Sequence, residues 1–139
     1  MKTENIIEIV LKKLDEKKAQ NTRTFNVKKL TSLCDYITIA STSNSTHVKS
    51  LTEEVIKVLK ENNKIIQNVE KDDNFTWIVI DCDDFIINIF HNREREFYNL
   101  EELWVDAEEV FISWDKFIIL YKISYNFIKS LNWKIVYLC

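Results

Sequence analysis

The chain has 139 residues, 46% of them apolar and 29% charged, with a formal net charge of −3 and neither glycine nor proline. That length and apolar content suit one globular domain with a real core and exclude a disordered chain, while apolar runs of about five residues fall far short of the roughly 20 needed to span a bilayer. Without glycine, P-loops and dinucleotide-binding fingerprints are excluded, and tight turns must be made by Asn, Asp and Ser, which tolerate left-handed backbone better than other residues.

Residues 4–19 read as a helix, with Ile6, Ile7, Val10, Leu11 and Leu14 on one face, Glu and Lys on the other, and Thr3 at the N-cap position. Residues 24–27 form a short strand, 28–33 a turn or short helix, and 35–40 a strand of β-forming residues. Ser41-Thr-Ser-Asn44 leads into a helix over residues 45–62, whose apolar stripe is Val48, Leu51, Val55, Val58 and Leu59. Asn62 and Asn63 end it in place of the usual glycine. Strands follow over residues 64–69, 77–81 and 85–90. The last two are joined by Asp81-Cys-Asp-Asp84, a hairpin-type turn without its customary glycine. Phe85-Ile-Ile-Asn-Ile-Phe90 is apolar on both faces, as a central strand should be. Residues 93–109 are expected to be mainly helical and to include a buried Leu-Glu-x-Leu-Trp element at Leu100 to Trp104. The alternation predicts a single α/β domain over residues 1–110, a mixed sheet of about five strands flanked by helices.

Residues 111–139 differ in composition, being rich in Ile, Phe, Tyr, Trp and Leu with scattered Lys. Phe117, Leu120, Tyr121, Ser124, Ile128, Leu131 and Ile135 fit a helical stripe, whereas Trp133-Lys-Ile-Val-Tyr alternates as a strand would. The extension reads as an added packing element over the domain or a dimer face, or as an appendage with no function, in preference to a basic segment lying on a membrane.

Charge is unevenly spread. Residues 1–30 carry eight Lys/Arg against four Asp/Glu, residues 51–110 six against sixteen, and residues 111–139 four against one. The acidic middle argues against direct, sequence-specific nucleic-acid binding through that face. It would be steered to a basic partner, and it equally suits a solubilising surface.

Little in the chain points to catalysis. Cys34, Cys82 and Cys139 are widely spaced, form no CxxC and suit a reducing cytosol, and no secretory or mitochondrial leader pattern is evident. His47 and His91 lack metal-spaced partners, so no metal, cofactor or catalytic residue is expected. One enzyme-like pattern stands against this. Asp81-x-Asp83 at a strand end, after a Ser-rich turn into a helix, loosely resembles the nucleotidyltransferases, in which two carboxylates hold Mg²⁺ against a nucleoside triphosphate. The nucleotide-cradling Gly-Ser is absent and no third carboxylate is evident.

Several motifs in order carry a family resemblance. They are Asp35-Tyr36 at a strand start; Ser41-Thr-Ser-Asn44 in place of a Thr-Gly-Thr-Ser-like turn; Glu70, with Lys71 where glycine is usual; Trp77, Asp81 and Asp84; Asn88 in place of a characteristic His; and Arg95, Tyr98, Leu100, Glu101, Leu103 and Trp104. This order resembles the RsfS/Iojap family of ribosomal silencing factors. The resemblance implies a nucleotidyltransferase-like architecture without the catalytic motif, and a cytoplasmic protein that is a homodimer when free. It also implies binding to the large ribosomal subunit through its fourteenth protein, which blocks joining of the small subunit and represses translation without a catalytic step. The rival is a Mg²⁺-dependent nucleotidyltransferase-like enzyme using Asp81 and Asp83. The residues expected to meet the partner are Trp77, Asp81, Asp84, Arg95, Tyr98, Glu101 and Trp104. Each has a plainer reading: Trp77, Tyr98 and Trp104 as packing, Arg95 and Glu101 as members of internal pairs, Asp81 and Asp84 as turn formers.

Overall fold

The computed structural model describes residues 2–111. The expectations for residues 112–139, the helical stripe and the alternating strand among them, lie outside the described residues, as does Cys139.

In chain order the elements are α1 (Thr3–Glu16), β1 (Gln20–Asn26), β2 (Tyr36–Thr42), α2 (Ser45–Glu61), β3 (Asn68–Lys71), β4 (Trp77–Asp81), β5 (Phe85–His91), α3 (Asn92–Tyr98), a 3-10 turn (Leu100–Trp104) and β6 (Glu108–Val110). The strands form one mixed sheet in the order β3-β4-β5-β2-β1-β6. Only β2 and β5 run parallel, in register from Tyr36 opposite Phe85 to Thr42 opposite His91. The other neighbours are antiparallel.

Strand alternation sorts the apolar side chains into two layers. Ile78 and Ile80 of β4, Phe85, Ile87 and Ile89 of β5, and Tyr36 and Ala40 of β2 pack against the apolar stripes of α1 and α2. The stripes are those the 3.6-residue period marks in the sequence, with Thr52 buried beside the second. On the opposite face Phe25, Val27, Cys34, Ile37, Ile39 and Phe90 form a smaller cluster, flanked by partly buried Trp77, Ile86, Leu100, Trp104 and Ala107. Every residue of β2 is buried, which suits its central place. The single mixed α/β domain expected from the sequence is therefore present, with six strands.

Helix termination without glycine follows one pattern twice. After α1, the Lys18 N–H bonds to the Asp15 carbonyl and the Ala19 N–H to the Leu14 carbonyl, with Lys18 left-handed at φ 66°. After α2, the Asn63 N–H bonds to Lys60 and the Lys64 N–H to Leu59, with Asn63 at φ 58°. Both are Schellman closures with a non-glycine residue in the left-handed position. Asp83 in the β4–β5 turn (φ 72°) and Asn99 after α3 (φ 44°) also adopt positive φ.

The structure corrects several boundaries. The Lys18 reversal ends α1 at Glu16 rather than at residue 19, and β1 starts earlier than expected, at Gln20. Thr3 is not the N-cap: Lys2 stands there without a side-chain bond, and the Thr3 hydroxyl donates to the Asp84 carboxylate. The third strand lies at Asn68–Lys71 rather than residues 64–69, because Lys64 is held in the closure of α2. The stretch over residues 93–109 is not mainly helical. Asn99 turns left-handed, stops α3 at Tyr98, and leaves room for the 3-10 turn and for β6, which pairs with β1 at the sheet edge. Nor is the Leu-Glu-x-Leu-Trp element buried, since Leu103 is 68% exposed.

A side chain in the left-handed region costs about 1–2 kcal/mol, partly offset because glycine loses more freedom on folding. Lys18→Gly should therefore stabilise the protein by about 0.5–1 kcal/mol, and Asn63→Gly by less, since Asn tolerates this region better. Thermal unfolding of the two variants side by side measures the difference.

Candidate functional site

Trp77, Val79 and Asp81 alternate onto the sheet face opposite α1 and α2, because Ile78 and Ile80 point into the helix layer. The Trp77 ring lies at 4.9 Å from Phe90, stacked at 25°, and at 4.8 Å from Tyr98, tilted at 43°. Its indole N–H donates to the Asn88 side-chain oxygen at 3.0 Å. The buried Asn88 amide thus orients the indole from the neighbouring strand. The Asp72 carboxylate accepts from the Thr76 and Trp77 amides at 2.7 and 3.1 Å and fixes the start of β4. Burial pushes the Asp72 carboxyl up, but these amides and the Thr76 hydroxyl together outweigh it and hold the group below its ordinary value.

Tyr98 is half exposed and meets Phe97 edge-on at 5.1 Å; Phe97 itself is 79% exposed. The elements that carry these rings are held by Arg95. Its Nε donates to Glu101 at 2.6 Å, and its Nη1 donates to the Ser41 hydroxyl at 3.0 Å and to the Gln20 carbonyl at 3.2 Å. The two ionic side chains are only 11% and 15% exposed. A register shift in β1 between Gln20 and Arg23, with Asn21 at φ 49°, accompanies the Gln20 contact. A second Arg pair, Arg23 on Glu109 at 2.8 and 3.2 Å, ties β1 to β6 nearer the solvent.

Beside that pair, a cleft of about 410 Å³ is lined by Phe25, Trp104, Val105 and Ala107 together with Arg23, Glu101, Glu102 and Glu109. The Trp104 indole N–H is buried at this cleft and has no hydrogen-bond partner among the described residues.

The seven residues singled out in the sequence are thus divided. Trp77 and Tyr98 touch each other, and Asp81 shares their sheet face. Trp104 borders the cleft on the same side, packed on the Phe25 and Ile39 cluster. Arg95 and Glu101 bind one another. Asp81 accepts from the Asp83 amide at 2.9 Å and closes the turn, so part of its bonding capacity is internal. Asp84 turns toward α1 and α2, receiving the Lys64 ammonium at 2.6 Å and the Thr3 hydroxyl. Burial pushes the Asp84 carboxyl up, but Lys64 and Thr3 outweigh it and the group lies below its ordinary value.

Phe97, Val105 and Glu109 were not singled out, and Asn88 was noted only as standing in place of a family His. Phe97 had a signal, since two adjacent aromatics on one short helix cannot both face the sheet. Glu109 had none, because its strand is only three residues long. Burial pushes the Cys34 thiol up to about 11 and the Cys82 thiol up to about 12, so neither supplies a thiolate nucleophile near neutral pH. Among the described residues no group of three His, Cys, Asp or Glu side chains is placed to hold a metal, and no helix is long and apolar enough to cross a membrane.

Two predictions separate these contacts. Removing one partner of a buried ion pair costs about 3–5 kcal/mol, against about 0–1 kcal/mol for an exposed pair. Arg95→Ala should therefore destabilise the fold by about 3 kcal/mol and Arg23→Ala by less than about 1 kcal/mol, read from urea unfolding. Asp84 is lowered in the folded state, so its contribution is present above the unfolded value of 3.8 and is lost as pH falls through the lower folded value. With a quarter of the side chain exposed, solvent screening limits that contribution to about 1 kcal/mol. Asp84→Asn should flatten the acid limb of a stability-against-pH curve below about pH 5.

The family model described as "Ribosomal silencing factor during starvation" matches residues 1–124. The ribosomal silencing factor RsfS of Halalkalibacterium halodurans is 30% identical over 110 residues, covering 79% of this chain and 94% of that protein. The factor of the same name from Bacillus subtilis is 28% identical over 107 residues, covering 77% and 91%. A crystal structure from Bacillus halodurans superposes with a TM-score of 0.70 at 27% identity, over 79% of this chain and 100% of that one. A crystal structure from Chromobacterium violaceum, at 23% identity, shares the fold with a TM-score of 0.73 over 83% of this chain and 95% of that one.

Proposed function

This chain belongs to the RsfS family of ribosomal silencing factors, and on that premise we propose that it binds the large ribosomal subunit through its fourteenth protein and sterically blocks the small subunit. Translation is repressed by occupancy alone, with no catalytic step. The observation that carries this reading is the Trp77–Tyr98–Phe97 aromatic run set in an acidic stretch. Half-exposed aromatic rings on a braced support are the usual anchors of an interface, and surrounding carboxylates suit a basic partner.

The proposed contact residues take different parts. Tyr98, the Trp77 edge, Asp81 and Trp104 meet the partner. Arg95 and Glu101 set the position of Tyr98 and Trp104 through their mutual pair. Asp84 contributes from the far side of the hairpin, where its bonds to Lys64 and Thr3 fix the turn. Residues 1–110 act as the binding domain and residues 111–139 as its extension. The free protein is a cytoplasmic homodimer in this reading. The rival Mg²⁺ chemistry draws no support from the Asp81 carboxylate, which is engaged with the Asp83 amide.

Loss of one such aromatic anchor costs about 1.4 kcal/mol or more, a tenfold or greater loss of affinity. Tyr98→Ala should reduce co-sedimentation with large subunits at least about tenfold while leaving thermal unfolding within a few degrees of the parent. Normal sedimentation of the folded variant would move the interface elsewhere. Mg²⁺-dependent nucleotide turnover lost in Asp81→Ala would replace the binding reading with the enzymatic one.

A further inference from the structure

The cleft between the 3-10 turn and the β1–β6 edge combines apolar and acidic lining. Phe25, Trp104 and Val105 line it, together with Arg23, Glu101, Glu102 and Glu109, of which Glu101 is paired with Arg95 and Glu109 with Arg23. Val105 is 78% exposed, and the neighbouring Leu103 is 68% exposed, a large apolar exposure for adjoining positions. Residues 92–110 carry two Arg against seven Asp/Glu. A fitting occupant is therefore apolar, aromatic and basic.

The chain itself supplies such a segment. Residues 112–139 carry four Lys against one Asp and are otherwise dominated by Ile, Phe, Tyr, Trp and Leu. They begin two positions after the last residue of β6, whose Glu109 lines the cleft. With roughly 3.3–3.6 Å of reach per residue, a few residues of this segment suffice to cross the cleft. Tethering places them there at an effective concentration of the order of millimolar, well above what a free partner attains.

We propose that residues 112–139 dock in this cleft of their own chain and so compete with the partner for the Trp104 end of the aromatic-acidic surface. The docking stands on the cleft and the charge complementarity. The competition rests in addition on the ribosome-binding reading above.

Zero-length carbodiimide crosslinking of the full chain tests the docking. An equal mixture of ¹⁴N- and ¹⁵N-labelled protein separates links within a chain from links between chains. Expected are intrachain links from Lys116, Lys122, Lys129 or Lys134 to Glu102 or Glu109. Links only between chains, or only to acids of α2 such as Glu53, would overturn the docking. Flotation of the protein with phosphatidylglycerol vesicles, with loss of the intrachain links, would overturn it too and make the segment a membrane contact. The competition is read with a full chain carrying Lys→Gln at those four lysines, which should bind large subunits about tenfold more tightly than the parent. Equal binding by the two proteins sinks the competition while the links decide the docking. If neither protein binds large subunits, the ribosome reading itself fails and the crosslinks still stand as the test of the cleft.

Discussion

Arg95 reaches from α3 to the ends of β1 and β2, and its guanidinium meets the Glu101 carboxylate where both side chains are almost out of water. Most of what distinguishes this surface hangs on that junction. Without it, neither the short helix nor the 3-10 turn has a deep anchor, since neither contains a fully buried residue. An ion pair in such a place adds little net stability compared with an apolar equivalent. What it supplies is position: the pair fixes Tyr98 over Trp77 and holds Trp104 against the Phe25 cluster. The Ser41 hydroxyl and Gln20 carbonyl complete the donor set of the guanidinium, as a partly desolvated Arg requires.

The absence of glycine shapes the rest. Six non-glycine residues among those described adopt positive φ, two of them in Schellman closures that normally recruit glycine. Asn and Asp take four of the six positions, where their side chains tolerate the conformation. Lys18 and Phe75 are the residues for which that explanation fails, and they hold the conformation only because the surrounding bonds impose it. The Asp81–Asp83 Asx turn does the work of a glycine hairpin in the same way. Of the two carboxylates that look like a metal pair in the sequence, Asp81 is bonded to the Asp83 amide, and Asp83 supplies the positive φ of the turn.

The two faces of the sheet differ in kind. The face under α1 and α2 is sealed by aliphatic stripes. Among the described residues the opposite face is covered only in part, by the loop around Cys34, α3 and the 3-10 turn, and its margin keeps large apolar groups exposed. A surface of that kind is suited to being covered by another molecule or by another part of the chain.

The sequence by itself determined the elements whose periodicity runs long enough to read. The stripes of α1 and α2 and the apolar run of β5 could form little else, because each buries one consistent set of side chains. The positions of Trp77, Tyr98 and Trp104 were also legible, from the motifs they share with the family. Tertiary structure alone decided how residues 92–110 divide. Asn99 breaks the helix, and the three residues of β6 become a strand only because β1 offers them an edge. It also decided that Arg95 and Glu101 face each other, that Asp84 bonds to Thr3 across 81 positions of chain, and that Asn88 receives the Trp77 indole. These are contacts between residues far apart in sequence or on different strands, where no local pattern records who the neighbour is.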